Sequence, residues 1–187
     1  MNKLEEILQA NRNFVSHLPE AYINYTETGK LPKRQLAIFT CMDTRLIELL
    51  PAALGLKNGD AKIIKNAGGV ITHPYGSVVR SLLVAIIELG VEEVMVIGHT
   101  DCGVAGIDTD EMMEHLIQRG ISRDTIDMMR YCGVNIEEWL GGFESVEQSV
   151  EDTVYALQNH PLMPKDVTIR GFIMNSETGE LKAVEEV

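Results

Sequence analysis

Two rhythms alternate along the chain. Short apolar or β-forming runs occur at 36–40, 61–65, 93–98 and 166–174, with Ile38, Phe39, Ile63, Ile64, Val94, Val96, Ile169 and Ile173 at their centres. Runs of this length bounded by turn residues read as strands buried on both faces, the habit of a parallel sheet. Between them the apolar positions fall at helical spacing. Leu4, Ile7, Leu8, Phe14 and Val15 mark an amphipathic helix over 3–17, and Leu46 to Leu50 a short one. Val78, Leu82, Leu83, Ala85, Ile86 and Leu89 mark a helix over 76–89, with Gly90 as its C-cap. Residues 104–160 read as mostly helical, over 108–118, 122–131 and 145–159. The last of these opens on Ser145-Val146-Glu147-Gln148, which has the form of a capping box.

Turn residues join the pieces. Residues 24–35 read as linker, Gly59-Asp60 as a turn, and Asn175 to Gly179 as a reversal into an antiparallel edge over 181–184. Strand–helix–strand succession implies parallel pairing and right-handed crossovers. The fold class is therefore α/β, a mostly parallel central sheet of about four strands plus an antiparallel edge strand, flanked by helices. One domain accounts for 1–187. It divides into an N-terminal helical arm and linker (1–35), a core (36–103), and a helical segment with the C-terminal strands (104–187).

Charge narrows the partners. The formal charge of −12, with no cluster of Lys and Arg, argues against nucleic acid and anionic membrane surfaces. No apolar run approaches the roughly 18 residues of a membrane span. The acidic, amphipathic N-terminus is unlike a signal peptide. Three cysteines do not make a disulfide framework, and a reducing cytoplasm is the expected compartment.

The chemistry gathers where two apolar runs end. The first breaks into Cys41-Met42-Asp43-Thr44-Arg45, and the third into His99-Thr100-Asp101-Cys102-Gly103. Cys41, His99 and Cys102 make three soft or borderline donors, the number zinc takes in a catalytic site with one position open. Asp43 has two possible jobs there, as a fourth ligand or as acceptor of a hydrogen bond from metal-bound water. Arg45 decides between them, because a guanidinium gripping the carboxylate bidentately keeps it ionised and turned from the metal. Extended geometry, in which residues i, i+2 and i+4 share a face, would align Cys41, Asp43 and Arg45.

Cys41-Met42-Asp43-Thr44-Arg45-Leu46, then Lys65-Asn66-Ala67-Gly68-Gly69, then Gly98-His99-Thr100-Asp101-Cys102-Gly103, in this order and spacing, resemble the β-class carbonic anhydrases, above all their short, archaeal-type branch. The resemblance is strong over 36–103 and continues more weakly to 174. It implies a parallel sheet with one Zn2+ per subunit, a homodimer or a larger homo-oligomer built from dimers, and reversible hydration of CO2 to bicarbonate. It also implies that Cys41, His99 and Cys102 hold the zinc, that Asp43 and Arg45 form the catalytic dyad, and that Ala67, Gly68 and Val70 line the substrate channel. Family dimers embrace through an N-terminal helix, which would give the apolar face over 3–17 its partner. The plant-like branch has a substrate-bonding glutamine that the short branch lacks; Gln35 precedes the first strand but is not placed in that role. Lys65 stands where many members carry Arg.

Outside the motifs, Gly103 N–H is a candidate donor to substrate oxygen. His73 is the nearest candidate for a proton shuttle, against a plain solvated histidine. His17, His115 and His160 read as surface or helix residues, and Cys132 as a buried thiol. Trp139 and Met112, Met113, Met128 and Met129 read as packing within the helical segment. Three other functions compete: hydrolysis of carbonyl sulfide or carbon disulfide at the same site, a non-catalytic zinc protein closed by Asp43, and a thiol redox protein. The last lacks a Cys-x-x-Cys pair.

Overall fold

A computed structural model describes residues 2–19, 22 and 29–184. Its elements follow the two rhythms. Helix α1 (Lys3–Ser16) precedes β1 (Leu36–Cys41), α2 (Leu46–Ala53), β2 (Ala61–Asn66), a 3-10 turn (Ala67–Gly69), α3 (Ser77–Leu89) and β3 (Glu93–His99). After these come α4 (Thr109–Gln118), α5 (Arg123–Tyr131), α6 (Ile136–Leu140), α7 (Val146–Gln158), β4 (Thr168–Met174) and β5 (Leu181–Ala183). The strands form one sheet in the order β2-β1-β3-β4-β5, parallel except for β5.

Strand order dictates where the helices lie. The step from β1 to β2 runs one way across the sheet and the step from β2 to β3 runs back past β1. Right-handed crossovers therefore put α2 and α3 on opposite faces. One core joins Ala37, Phe39, Val94, Val96 and Ile169 of the sheet to Leu82 and Ile86 of α3 and to Val150 and Leu157 of α7. The other joins Ile38, Ile97 and Met174 to Leu46 and Leu50 of α2, and it includes Cys41 and Cys102. Alternate residues of β1 and β3 thus serve different cores, which is why the runs are apolar throughout. Helix α7 lies unusually close to the sheet, because a Cβ at Gly98 or Gly171 would stand 2.7 Å from a methyl of Val150.

The caps work as the sequence suggests. Gly90 ends α3 in the left-handed conformation at φ 68°. Ser145 accepts from Gln148 N–H at the start of α7, one half of the capping box. The full box occurs at α1, between Asn2 and Glu5. α1 buries none of its residues in its own chain, and Leu4, Ile7 and Val15 are each more than 60% exposed. Of the linker at 24–35, positions 24–28 lie outside the described residues.

The segment 104–160 departs most from expectation. A short helix, α6, forms just before Gly141-Gly142, and a satellite core of Met113, Ile126 and Ile136 ties α4, α5 and α6 together. Only Met113 of the four methionines is buried, while Met128 and Trp139 are more than half exposed. Cys132 is exposed rather than buried, since α5 presents its last turn to solvent. His160 is buried rather than superficial: its Nε2 bonds Pro74 O at 3.0 Å and its Nδ1 accepts from Leu162 N–H. That bond ties the end of α7 to the segment before α3, a contact no local pattern announces.

Candidate metal centre

The strand order reverses between β1 and β3, whose onward connections to β2 and β4 leave in opposite directions, and the carboxyl ends of such a neighbouring pair are where an open α/β sheet places its site. Cys41 ends β1, His99 ends β3 and Cys102 follows three residues on. All three are buried, and one ligand atom from each lies within 4.8 Å of the others. The structure therefore assembles the predicted donor set.

The donors fit a tetrahedral ion. The sulfurs of Cys41 and Cys102 stand 3.8 Å apart, too far for a disulfide. The spacing matches the edge of a tetrahedron with metal–sulfur bonds of about 2.3 Å. His99 Nδ1 lies 2.9 Å from Thr100 O. A carbonyl only accepts, so Nδ1 carries the proton and Nε2 keeps its lone pair. That Nε2 is buried with no hydrogen-bond partner, one of two such side-chain atoms among the described residues. A buried basic nitrogen facing two thiols is a ready seat for a cation. Thr100 is itself held, its N–H by Met174 O and its hydroxyl by Ser176 N–H, so the turn after β4 orients the loop that carries His99 and Cys102.

The electrostatics suit a dication. Burial opposes ionisation of Cys41 most strongly, yet His99, backbone hydrogen bonds at Asp43 and Gly68, and Cys102 together bring its pKa down to about 7. Burial pushes the Cys102 thiol up, with the Cys41 charge adding to it. Without metal the two sulfurs can share one proton, which a metal ion would displace. Lys65, half-buried, is pushed down by desolvation, against the pull of Cys41 and Asp43.

Asp43 and Arg45 do pair, but not through extended geometry. Arg45 is helical (φ −63°, ψ −30°) at the start of α2. The chain turns at Asp43, whose Oδ1 accepts from Arg45 N–H at 2.8 Å. That turn returns the guanidinium: Nε donates to Oδ1 at 3.0 Å and Nη2 to Oδ2 at 2.8 Å. The Arg45 side chain accordingly holds the Asp43 carboxyl down to about 2. Asp43 Oδ2 remains 3.9 Å from His99 Nε2, at the rim of the donor set. Asp101, which the motif reading passed over, also binds Arg45, through both its carboxylate and its carbonyl. Its place between two ligands was the available signal.

The loop after β2 wraps Cys41. Asn66 pairs in register with Cys41, and its Nδ2 donates to Val70 O at 2.7 Å, closing the turn. A Cβ at Gly69 would meet Cys41 N at 3.1 Å, and one at Gly68 would meet Val104 and Phe143 at 3.1 Å. Val104 and Phe143 thus wall the site, and Phe143, brought in from the segment before α7, carries no local signal. Val70 borders a cleft of about 830 Å³ that also touches His73, Trp139 and Phe143. Ala67 and Gly103 are exposed, and nothing stands within 4 Å of where a Gly103 Cβ would be. His73 is exposed, its Nδ1 accepting from Tyr75 N–H. Gln35 lies at the other end of β1, bonded to Glu92.

The comparisons agree with this geometry. The carbonic anhydrase family model matches residues 36–181. The YvdA protein of Bacillus subtilis (strain 168), named provisionally as a carbonic anhydrase, is 48% identical over 184 residues, 98% of this chain and 92% of that one. A carbon disulfide hydrolase of Acidithiobacillus thiooxidans is 34% identical over 157 residues, 80% of this chain and 76% of its own. The crystal structure of β-carbonic anhydrase isoform I from Trichomonas vaginalis matches with a TM-score of 0.89 at 34% identity, covering 100% of this chain and 99% of that chain. A family model that spans β1 to β4 and the donor set, and relatives alike over nearly the full chain, make this protein a member of the β-carbonic anhydrase family.

Proposed function

We propose that the chain is a zinc-dependent carbonic anhydrase that interconverts CO2 and bicarbonate with release of a proton. Cys41, His99 and Cys102 would hold the zinc, two thiolates balancing the dication. Zinc bound there would supply a water acidified from about 15.7 to near 7, the nucleophile that hydration of CO2 requires. The observation that carries the reading is the bidentate grip of Arg45 on Asp43, which leaves three protein donors and an open fourth position.

The chain's residues then divide the work. Asp43, kept ionised by Arg45, stands at the rim of the donor set, where its carboxylate would accept a hydrogen bond from such a water and orient it. Val104 and Phe143, with Ala67, Gly68 and Val70, offer an apolar wall to a substrate without a net dipole. Gly103 N–H is a donor to substrate oxygen. Loss of the proton to buffer is direct, since His73 is solvated and bonded to its own turn.

The exposed apolar face of α1 supports a homodimer or an assembly of dimers, with α1 on the neighbouring subunit. Sedimentation of the protein, with and without residues 1–17, tests this. Thiolate ligands suit a reducing cytoplasm, and no helix among the described residues is long and apolar enough to cross a membrane.

The test is stopped-flow CO2 hydration on protein of known zinc content from about pH 6.5 to 9, which brackets a metal-bound water near 7 and its upward tuning by thiolates. Turnover that scales with zinc and rises with pH is expected. Full zinc without hydration would refute the reading and move the weight to carbon disulfide or carbonyl sulfide, a reading supported by the 34% identical carbon disulfide hydrolase.

A further inference from the structure

Two described residues other than glycine have positive φ, Gln35 at 51° and Asp101 at 54°. Left-handed backbone is unfavourable for most side chains and best tolerated by Gly, Asn and Asp. Gln35 uses it at the far end of β1, where its carbonyl accepts from Glu92 and Glu93. Asp101 uses it between the ligands His99 and Cys102. There its carbonyl oxygen accepts from Arg45 Nη2 at 2.8 Å and its Oδ2 from Arg45 Nη1 at 2.8 Å.

Arg45 is thereby spanned. Nε and Nη2 face Asp43, while Nη1 and Nη2 face Asp101. Among the described residues these two aspartates take all the hydrogen bonds of the guanidinium, which is 38% exposed. The Asp101 carboxylate is 87% exposed, and an exposed ion pair alone holds little. The carbonyl is different: it is fixed by the backbone, and the left-handed turn aims it.

The geometry points to Asp101 as a positioning residue: it anchors Arg45 from the β3 loop, keeps the guanidinium seated on Asp43, and so keeps Asp43 from closing the metal site as a fourth ligand. The inference rests on the open-site reading above. Freed of its anchor, Arg45 would release Asp43 part of the time, and the apparent affinity for an external ligand would fall in proportion to the open fraction that remains.

Cobalt(II) in place of zinc gives visible bands that shift when azide enters an open position, a readout separate from turnover. The wild-type cobalt protein is expected to respond. Asp101→Ala loses the carboxylate and the ease of the left-handed turn, and should need at least tenfold more azide for half the shift. Asp101→Gly keeps the turn and the carbonyl, folds as the wild type does, and should need about threefold more. Adding Asp43→Ala to either variant should restore the wild-type response, because no carboxylate remains to close the site. Wild-type azide binding in both single variants would overturn the proposal. So would a double variant as insensitive as its parent, since the defect would then lie in the ligands. A fully loaded wild-type protein indifferent to azide would overturn the open-site reading and the proposal with it, and that control tells the two failures apart.

Discussion

Gly69 tests how tightly the loop after β2 wraps Cys41. It sits at φ 67°, and a Cβ there would stand 3.1 Å from Cys41 N and 3.2 Å from Thr40 C. Two costs would follow in Gly69→Ala. Left-handed backbone costs an L-residue about 1–2 kcal/mol. The contact falls on main-chain atoms of a central strand, which cannot swing aside as a side chain would, and overpacking of that kind adds about 1–3 kcal/mol. Together the loss of stability is about 2–5 kcal/mol. Gly90→Ala provides the control, because Gly90 has φ 68° with nothing within 4 Å of a Cβ. It should lose only the first part, about 1–2 kcal/mol. Urea unfolding of the metal-free proteins measures the difference. Zinc affinity against a competing chelator adds a second reading, since a shift at Cys41 weakens the site while a change at Gly90 does not. Equal destabilisation of the two variants, with equal zinc affinity, would show that the loop does not press on Cys41.

Other outcomes follow from the same geometry. Asp43→Ala should keep its zinc and lose turnover on the order of 10²-fold, the usual cost of removing one well-placed partner of the reacting group; undiminished turnover would leave Asp43 without a role. A thiol reagent should find Cys132 at once in the zinc-loaded protein, and Cys41 and Cys102 only after chelation, because these two are buried and, on the proposed reading, would hold the metal. Rapid modification of all three in loaded protein would contradict the assignment. Arg45 holds Asp43 at about 2, below the ordinary carboxylate value of about 3.9. A pKa lowered by folding contributes stability that is complete above the unfolded value and lost as pH falls through the folded one. The stability gap between wild type and Asp43→Asn should hold steady above about pH 5 and shrink between about pH 4 and 2; a gap unchanged down to pH 2 would mean that the ion pair does not stabilise the fold.

Much of this was legible because the parallel sheet leaves a strong local trace. β1 and β3 are buried on both faces, so their apolar runs and the chemistry at their ends stood out in the sequence. The donor set needed only two strand ends and one loop residue. What stayed illegible depended on contacts across the chain. Phe143 reaches the site from the connection between α6 and α7, and His160 is held by a bond to Pro74 O. Cys132, Trp139 and Met128 lie on short helices with a small satellite core, where apolar residue types are poor guides to burial. Arg45 was rightly paired with Asp43 for a wrong geometric reason: a turn ending on an αR residue, rather than an extended run, makes the contact.

The question of substrate turns on the wall rather than on the donors. CO2 and carbon disulfide are both linear and apolar, and a set of two thiolates and an imidazole treats their central carbon alike. Sulfur is the larger end atom, so the space beside the Cys41, His99 and Cys102 donor set would decide. Here that space is bounded at Gly68, where even a methyl would crowd Val104 and Phe143 at 3.1 Å. A glycine packed under two apolar side chains leaves little room there, and more would open only if Val104 or Phe143 were smaller or displaced. Phe143 is the adjustable one, because it comes from a connecting segment and not from the strand ends that fix the ligands. Phe143→Ala should therefore raise hydrolysis of carbon disulfide relative to hydration of CO2 while leaving zinc affinity unchanged, as measured by paired assays on protein of equal metal content. A ratio that does not move would place the selecting contact elsewhere, in the cleft beyond Val70.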